Sequence, residues 1–181
     1  MTPLAPRIYV LDQVARYGGD ILAHAAMQGA KRFPHHGQMS VFAHSAAVAY
    51  ICAALALRLH LRVNMRALVR AALLHDYFLY DWHAWDGGEH RLHGLFHAGR
   101  ALKNARADFA LSAVEENAIL RHMFPLTPIP PRCREGWIIC LADKLCAACE
   151  LARPAYLRRI APGVEKRARH FLPDDWSCAG E

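Results

Sequence analysis

The chain has 181 residues, of which 54 % are hydrophobic, so it is long and apolar enough to bury a sizeable core. Its 22 Lys and Arg outnumber its 16 Asp and Glu, and the resulting net charge of +6 favours an anionic ligand. The basic residues are scattered, without a clustered stripe carrying interleaved aromatics, which argues against a nucleic-acid partner.

Ala and Leu dominate the hydrophobic residues, whereas the strand-favouring Val, Ile and Thr are sparse. We therefore predict an all-α fold, a compact single-domain bundle of about six to eight helices over residues 1–181, with a motif-bearing core over about 37–150. In chain order, the expected helices cover residues 7–27 (interrupted at Gly18-Gly19), 40–60, 65–77, 96–107, 112–122, 134–152 and 155–171 (interrupted at Pro162-Gly163).

Local signals mark the ends of these helices. Asn64 is a candidate N-cap for the helix that follows it, and the segment 29–38, rich in Gly, Pro and His, predicts a loop. The aromatic and glycine-containing segment 81–95 predicts a loop over a cleft. The four prolines within residues 125–131 predict a linker that cannot be helical.

The six cysteines and the apolar run 41–57 bear on the location of the protein. The N-terminus lacks the charged-then-apolar layout of a signal peptide, so we expect reduced thiols in a cytoplasmic protein rather than a disulfide framework. The apolar run is short for a membrane span, and His44 and Ser45 interrupt it. We expect it to be the central buried helix, with no membrane partner.

Several histidines and two aspartates occupy unusual places in the predicted helices. The apolar stripe within residues 68–73 leads by helical spacing to Asp76, and a buried carboxylate is costly unless a positive group meets it. Imidazole and carboxylate together suit divalent Zn, Mn, Fe or Ni, and a cation removes that cost. We therefore expect six side chains to converge on divalent metal: His44, His75, Asp76, His97, His122 and Asp143.

The order His, then His-Asp, then Asp resembles the HD-domain superfamily of metal-dependent phosphohydrolases. The resemblance rests on HSAAVAY from His44, RAALLHD ending at Asp76 and LADKL around Asp143, and it covers roughly residues 37–150. It implies that the core metal ligands are His44, His75, Asp76 and Asp143. Two further histidines match the additional ligands of binuclear members, namely His97 and His122.

The resemblance also implies a chemistry. By resemblance to binuclear members, Asp76 would bridge two ions, and a bound hydroxide between them would be the nucleophile. We expect one or two divalent ions (Mn, Fe, Ni, Zn or Mg) and a substrate that is a phosphate ester or anhydride of a nucleotide or small phosphorylated metabolite. Lys144 would join Asp76 in the catalytic set by meeting phosphate charge, and Arg100 and Lys103 are further basic candidates.

Two other functions stay open. One is a non-catalytic sensor that binds metal or nucleotide without turnover. The other is a di-iron oxygenase, because a branch of the same superfamily uses a similar ligand set for that chemistry. The oligomeric state is not indicated by the sequence.

The acids and Lys144 also have alternative structural interpretations. Asp76 could pair with Arg70 or Arg66 or cap a following turn, and Asp143 could form a buried ion pair with a distant arginine. Lys144 could be solvated or pair with an acid such as Glu150.

The histidines have alternatives of the same kind. His44 could be a core histidine bonded to a backbone carbonyl, and His97 and His122 could be substrate contacts. The HGLFH spacing of His93 and His97 lacks the glutamate that a metalloprotease needs, because Gly94 follows the first histidine.

Cys146 and Cys149 form a CAAC segment that we interpret as helix packing rather than redox or zinc chemistry. The aromatic cluster between residues 77 and 85 is interpreted as core and lid packing, with stacking on a nucleobase as the alternative; it comprises Tyr77, Phe78, Tyr80, Trp82 and Trp85. Roles stay open for His35, His36, His93, Asp81, His83 and Asp86.

Overall fold

The computed structural model describes residues 7–35, 39–81, 93–152, 155, 157 and 159–172. Helices dominate these residues, and the described part of the chain contains no strand beyond an isolated bridge between Pro34 and Ser40. The predicted all-α fold is confirmed. The α-helices are α1 (Arg7–Ala23), α2 (Ala25–Gly29), α3 (Val41–Arg58), α4 (Met65–Leu74), α5 (His93–Asp108), α6 (Ala113–Arg121), α7 (Arg134–Ala152) and α8 (Ile160–Ala168), with a short 3-10 helix (Ala30–Arg32) between α2 and α3.

Helix α3 is the central helix of the fold. The Ser40 side chain caps its start by accepting a hydrogen bond from the Ala43 backbone amide. The helix packs against α1, α4, α7 and α8. By length and composition α3 passes the test for a membrane-crossing helix, but 67 % of it is buried inside the protein, as expected of a core helix.

Helix α4 ends three residues earlier than its sequence pattern predicts. Asn64 caps its start as expected, because its side-chain oxygen accepts from the Ala67 amide. The helix stops at Leu74, and residues 75–78 form a turn in which the Phe78 amide donates to the Asp76 carbonyl. The Asn104 side-chain amide donates to the carbonyls of residues 77 and 78. The turn that carries His75 and Asp76 is therefore held from α5.

The predicted interruption of α1 at Gly18-Gly19 is wrong, because the helix runs unbroken through both residues. Packing explains the first glycine. A Cβ on Gly18 would overlap Leu73 Cδ1 and lie 3.4 Å from Val69 Cγ1, so the absence of a side chain lets α1 approach α4 closely.

The helices after the cleft start and end close to the expected places. Ser112 and Glu115 form a capping box at the start of α6, and α7 has the predicted bounds. The predicted interruption at Pro162-Gly163 is wrong, because Pro162 lies in the first turn of α8, where its missing amide hydrogen costs no helical hydrogen bond.

Two other expectations concern the cleft loop and the thiols. Helix α5 starts at His93, three residues before the predicted start, and residues 82–92 of the expected loop lie outside the described residues. The five described cysteines are free thiols. Cys146 is buried and so packs in the core, whereas Cys149 is exposed on the same helix.

We predict that the G18A variant is less stable than wild type by about 1–3 kcal/mol, because the buried Leu73 side chain has to move for the new methyl group. The matched control is G99A in α5, where no atom lies within 4 Å of the added Cβ, and this variant should be as stable as wild type or up to about 1 kcal/mol more stable. Urea unfolding measures both. Equal stability of G18A and G99A would contradict the packing argument.

Candidate metal centre

Five helical segments bring the six predicted residues together. His44 lies on α3, Asp76 in the turn after α4 and Asp143 on α7. Five of the six are at most 5 % exposed, whereas Asp143 keeps a partly exposed side chain. The structure places Asp76 in the middle of the group formed by His44, His75, His97, His122 and Asp143.

One oxygen of Asp76 faces the α3 side of the centre. Asp76 Oδ2 lies 3.4 Å from His75 Nε2 and 3.8 Å from His44 Nε2. Asp143 Oδ1 joins the same group, 3.1 Å from His44 Nε2 and 3.7 Å from His75 Nε2. Two imidazoles and two carboxylates therefore surround one small volume on the Oδ2 side.

The other oxygen of Asp76 faces a second pair of histidines. Asp76 Oδ1 lies 3.2 Å from His97 Nε2 and 3.6 Å from His122 Nε2, and the two ring nitrogens are 3.0 Å apart. His44, His75 and Asp76 form one group of donors close enough to hold a metal ion, and Asp76, His97 and His122 form another. These two groups share Asp76, and a third such group among the described residues consists of His35, His44 and Glu150.

The same local device orients His75 and His122. His75 is the C-cap residue of α4, and its Nδ1 donates to the Ala72 carbonyl at 2.8 Å. His122 is the C-cap residue of α6, and its Nδ1 donates to the Ile119 carbonyl at 2.7 Å. The carbonyls at a helix C-terminus lack partners within the helix, so the histidine satisfies one and is fixed by it. In the neutral ring, Nε2 then carries the lone pair.

A divalent cation fits this donor set. His75 Nε2 and Asp76 Oδ1 are fully buried and have no hydrogen-bond partner among the described residues, although both face the centre. Leaving such atoms unpaired is costly, and a cation between them removes the cost. Imidazole nitrogens with carboxylate oxygens are the donors preferred by Zn, Mn, Fe and Ni.

Two residues of the centre were not predicted: His35 and Glu150. His35 Nε2 lies 3.1 Å from Asp76 Oδ2, and His35 Nδ1 lies 3.1 Å from Glu150 Oε2. The other oxygen of Glu150 lies 2.5 Å from His44 Nδ1. Glu150 is seven residues after Asp143 and so shares its helix face, which is the signal that could have found it.

The electrostatic environment favours ionised acids and a neutral His122. Burial alone raises the pKa of Asp76 and Asp143, but the histidines around them outweigh it and hold both well below the usual range. Glu150 responds in the same way, and its pKa falls to about 2. Burial and the neighbouring His75 and His97 lower the pKa of His122 to about 3.

The pKa values of His35 and His75 are shifted in the opposite direction, upward. Burial alone lowers the pKa of His35, but hydrogen bonds to Asp76 and Glu150 outweigh it and raise the pKa to about 9. The charge of Asp76 and the nearby Asp143 likewise overcome burial and raise the pKa of His75. In the metal-free protein, His35 is therefore the cation between two carboxylates.

A cavity of about 550 Å³ opens onto the centre. Its floor includes Asp76, and an apolar wall is formed by Met123, Pro125 and Leu126. Lys144 also lines it, and its ammonium donates to the carbonyls of residues 122 and 140, at 3.1 and 3.2 Å. Its third contact is Cys140 Sγ at 3.3 Å, and no carboxylate among the described residues neutralises its positive charge.

The alternative ion pairs are wrong. Arg70 bonds Glu115 and Asp20, and Arg66 lies nearest to Glu115, so neither pairs with Asp76. The partners of Asp143 are histidines. Glu150 does not pair with Lys144, because both its oxygens contact His35 and His44.

The remaining candidates lie around the centre or outside the described residues. Arg100 donates to the Tyr80 hydroxyl at 3.1 Å and does not line the cavity, nor does Lys103. Tyr77 packs in the core, and its hydroxyl donates to Asp108. His36, Trp82, His83, Trp85 and Asp86 lie outside the described residues, as does the side chain of His93.

We predict that His35 stabilises the metal-free protein in a pH-dependent way. Because its pKa is about 9 in the folded protein and 6.5 in the unfolded chain, its contribution is complete below pH 6.5 and lost as the pH rises through 9. The difference in unfolding free energy between wild type and H35Q should therefore shrink by on the order of 3 kcal/mol over this interval. Urea unfolding with a chelator present measures it; a constant difference would contradict the assignment.

The geometry agrees with what the family comparison finds. The HD domain model matches residues 41–148, which is more than half of the chain. Neither the curated proteins nor the solved structures give a significant match. The matched segment contains all six predicted residues, whereas His35 and Glu150 lie just outside it. The chain therefore belongs to the HD domain family, which includes metal-dependent phosphohydrolases.

Proposed function

We propose that this protein is a metal-dependent phosphohydrolase that cleaves a phosphate ester or anhydride of a nucleotide or small phosphorylated metabolite. The observation that carries the proposal is the position of Asp76, whose two oxygens face separate groups of imidazole nitrogens at 3.1–3.8 Å, three beside Oδ2 and two beside Oδ1. A buried carboxylate shared by two donor groups is the arrangement that a two-ion centre requires.

The residues divide into two ligand sets. The first consists of His44, His75, Asp76 and Asp143, and the second of Asp76, His97 and His122. Divalent ions bound there would neutralise phosphate charge and lower the pKa of a coordinated water, so that it attacks at neutral pH. Mixed nitrogen and oxygen donors suit Mn, Fe, Ni or Zn. Mg, a hard cation that prefers oxygen ligands, is the alternative.

The chain's own residues prepare the site. The low pKa of His122 keeps its ring neutral, so that Nε2 can donate its lone pair. The Nδ1 bonds of His75 and His122 to backbone carbonyls fix the direction of both rings before any ligand arrives. Lys144, held by two carbonyls at the cavity, meets the charge of the substrate phosphate.

The cavity limits the class of substrate. Its volume of about 550 Å³ accommodates a mononucleotide or a phosphorylated metabolite, and the wall formed by Met123, Pro125 and Leu126 favours an organic group with an apolar face. We propose no nucleic-acid or membrane partner. The described cysteines are free thiols, which is the state that a reducing compartment maintains, and this supports a cytoplasmic location.

We predict that D76A loses all bound divalent metal and all phosphate release, because it removes the one residue common to both ligand sets. H122A should retain about one equivalent when wild type holds two, since only the second set contains His122. Elemental analysis gives metal per chain, and inorganic phosphate released from a panel of nucleotides and phosphorylated metabolites gives activity.

A D76A protein with its metal and activity intact would refute the proposed centre. Tight binding of a phosphorylated compound by wild type without phosphate release would instead identify a sensor. Visible absorption of the iron-loaded protein with oxygen consumption and no phosphate release would identify an oxygenase.

We predict that K144M weakens substrate binding without loss of metal. A charged hydrogen bond to phosphate contributes about 1.5–3 kcal/mol, so kcat/KM should fall by about 10- to 100-fold. The matched control is K166M, because Lys166 is exposed on α8 and does not line the cavity. Steady-state phosphate release and metal analysis measure both variants, and equal kcat/KM in the two would remove Lys144 from the site.

A further inference from the structure

Glu150 is a buried carboxylate that neither the motif nor the proposed chemistry uses. Its side chain has no exposed surface, and each of its oxygens contacts a different imidazole. Oε1 lies 2.5 Å from His44 Nδ1, and Oε2 lies 3.1 Å from His35 Nδ1. The two rings stack with their centroids 3.7 Å apart. One carboxylate therefore holds a stacked pair of histidines.

The direction of these hydrogen bonds follows from the acceptor. An ionised carboxylate only accepts, so both Nδ1 atoms must donate to Glu150. The opposite nitrogen of each ring then faces Asp76: His44 Nε2 lies 3.8 Å and His35 Nε2 3.1 Å from Asp76 Oδ2. Glu150 thus sets the orientation of two rings that meet the same ligand oxygen.

We propose that Glu150 is a positioning residue of the metal centre, holding His44 directly and Asp76 through His35. The inference rests on the proposed function, because it needs His44 and Asp76 to be ligands. Both Glu150 and His35 lie outside residues 41–148, so the family match does not assign them a role.

The consequence is a difference between the two sides of Asp76. On the Oδ1 side, the anchor of His122 is a neutral backbone carbonyl. On the Oδ2 side, the anchor of His44 is a charged carboxylate. This makes His44 Nε2 a stronger lone-pair donor to a metal ion and restrains the ring more firmly than a neutral carbonyl does. The Oδ2 side therefore binds its ion more tightly.

The test compares Co²⁺ retention by Co²⁺-loaded wild type and E150Q. Both proteins are competed with a chelator of known affinity, and the visible absorption of Co²⁺ follows the loss of each ion. In E150Q the amide group replaces one acceptor with a donor, so one imidazole loses its anchor. We expect one ion to be held about 10- to 100-fold more weakly in E150Q and the other to be unchanged.

Two further variants keep the result interpretable. E115Q alters another buried glutamate, one bonded to Arg70 and to the Ser112 cap, so it should lower stability without changing Co²⁺ affinity. H35Q removes the contacts of His35 with Asp76, Glu150 and His44 but leaves the bond between Glu150 and His44, so it should change the affinity of the same ion by a smaller factor than E150Q. H35Q added to E150Q should then have a smaller effect than H35Q alone, because both act through one anchor.

Three outcomes would overturn the inference. Co²⁺ affinities in E150Q equal to those of wild type would refute the positioning role of Glu150 without affecting the proposed function. An equal loss in E115Q would make the effect one of general stability. Wild type that takes up no Co²⁺, Mn²⁺, Zn²⁺ or Fe²⁺ would refute the proposed function and this inference together.

Discussion

The burial of the Asp76 carboxylate is the constraint on which the rest of the structure depends. The side chain is only 5 % exposed, and a lone carboxylate in such a place is too costly to remain charged. The nearby arginines do not offset that cost, because Arg70 and Arg66 face Glu115 instead. Five imidazole nitrogens within 3.8 Å surround the carboxylate, two of them fixed by backbone carbonyls. This environment supports the proposed role of Asp76 as a metal ligand.

The helical framework serves that arrangement by supplying donors from separate elements. A single helix could present only neighbours on one face, but two C-caps, two helix faces and one loop approach Asp76 from different directions. The close contact of α1 with α4 at Gly18 and the hold of Asn104 on the turn after α4 keep the position of His75 and Asp76 fixed. The geometry of the site therefore depends on helix packing and hydrogen bonds away from the centre.

The sequence predicted the parts of the site that local patterns encode. The apolar stripe before Asp76 and the family spacing located all six residues, and cap chemistry located the start of α4 at Asn64. The sequence assigns His35 no role, because its contact with Glu150 joins residues 115 positions apart and no periodicity reports such a pairing. The glycine pair in α1 wrongly predicts a break for a similar reason: a glycine that permits close packing and one that ends a helix look the same until the neighbouring helix is known.

The two sides of Asp76 carry different numbers of candidate metal donors. His44, His75 and Asp143 lie on the Oδ2 side, whereas His97 and His122 lie on the Oδ1 side. Both sides reach the cavity, because His35 and Asp143 line it together with His97, His122 and Lys144. The side with more donors carries the charged anchor Glu150. If both sides hold ions as proposed, the Oδ1 side offers an ion fewer protein donors than the Oδ2 side, which would leave it more coordination positions for phosphate oxygen atoms.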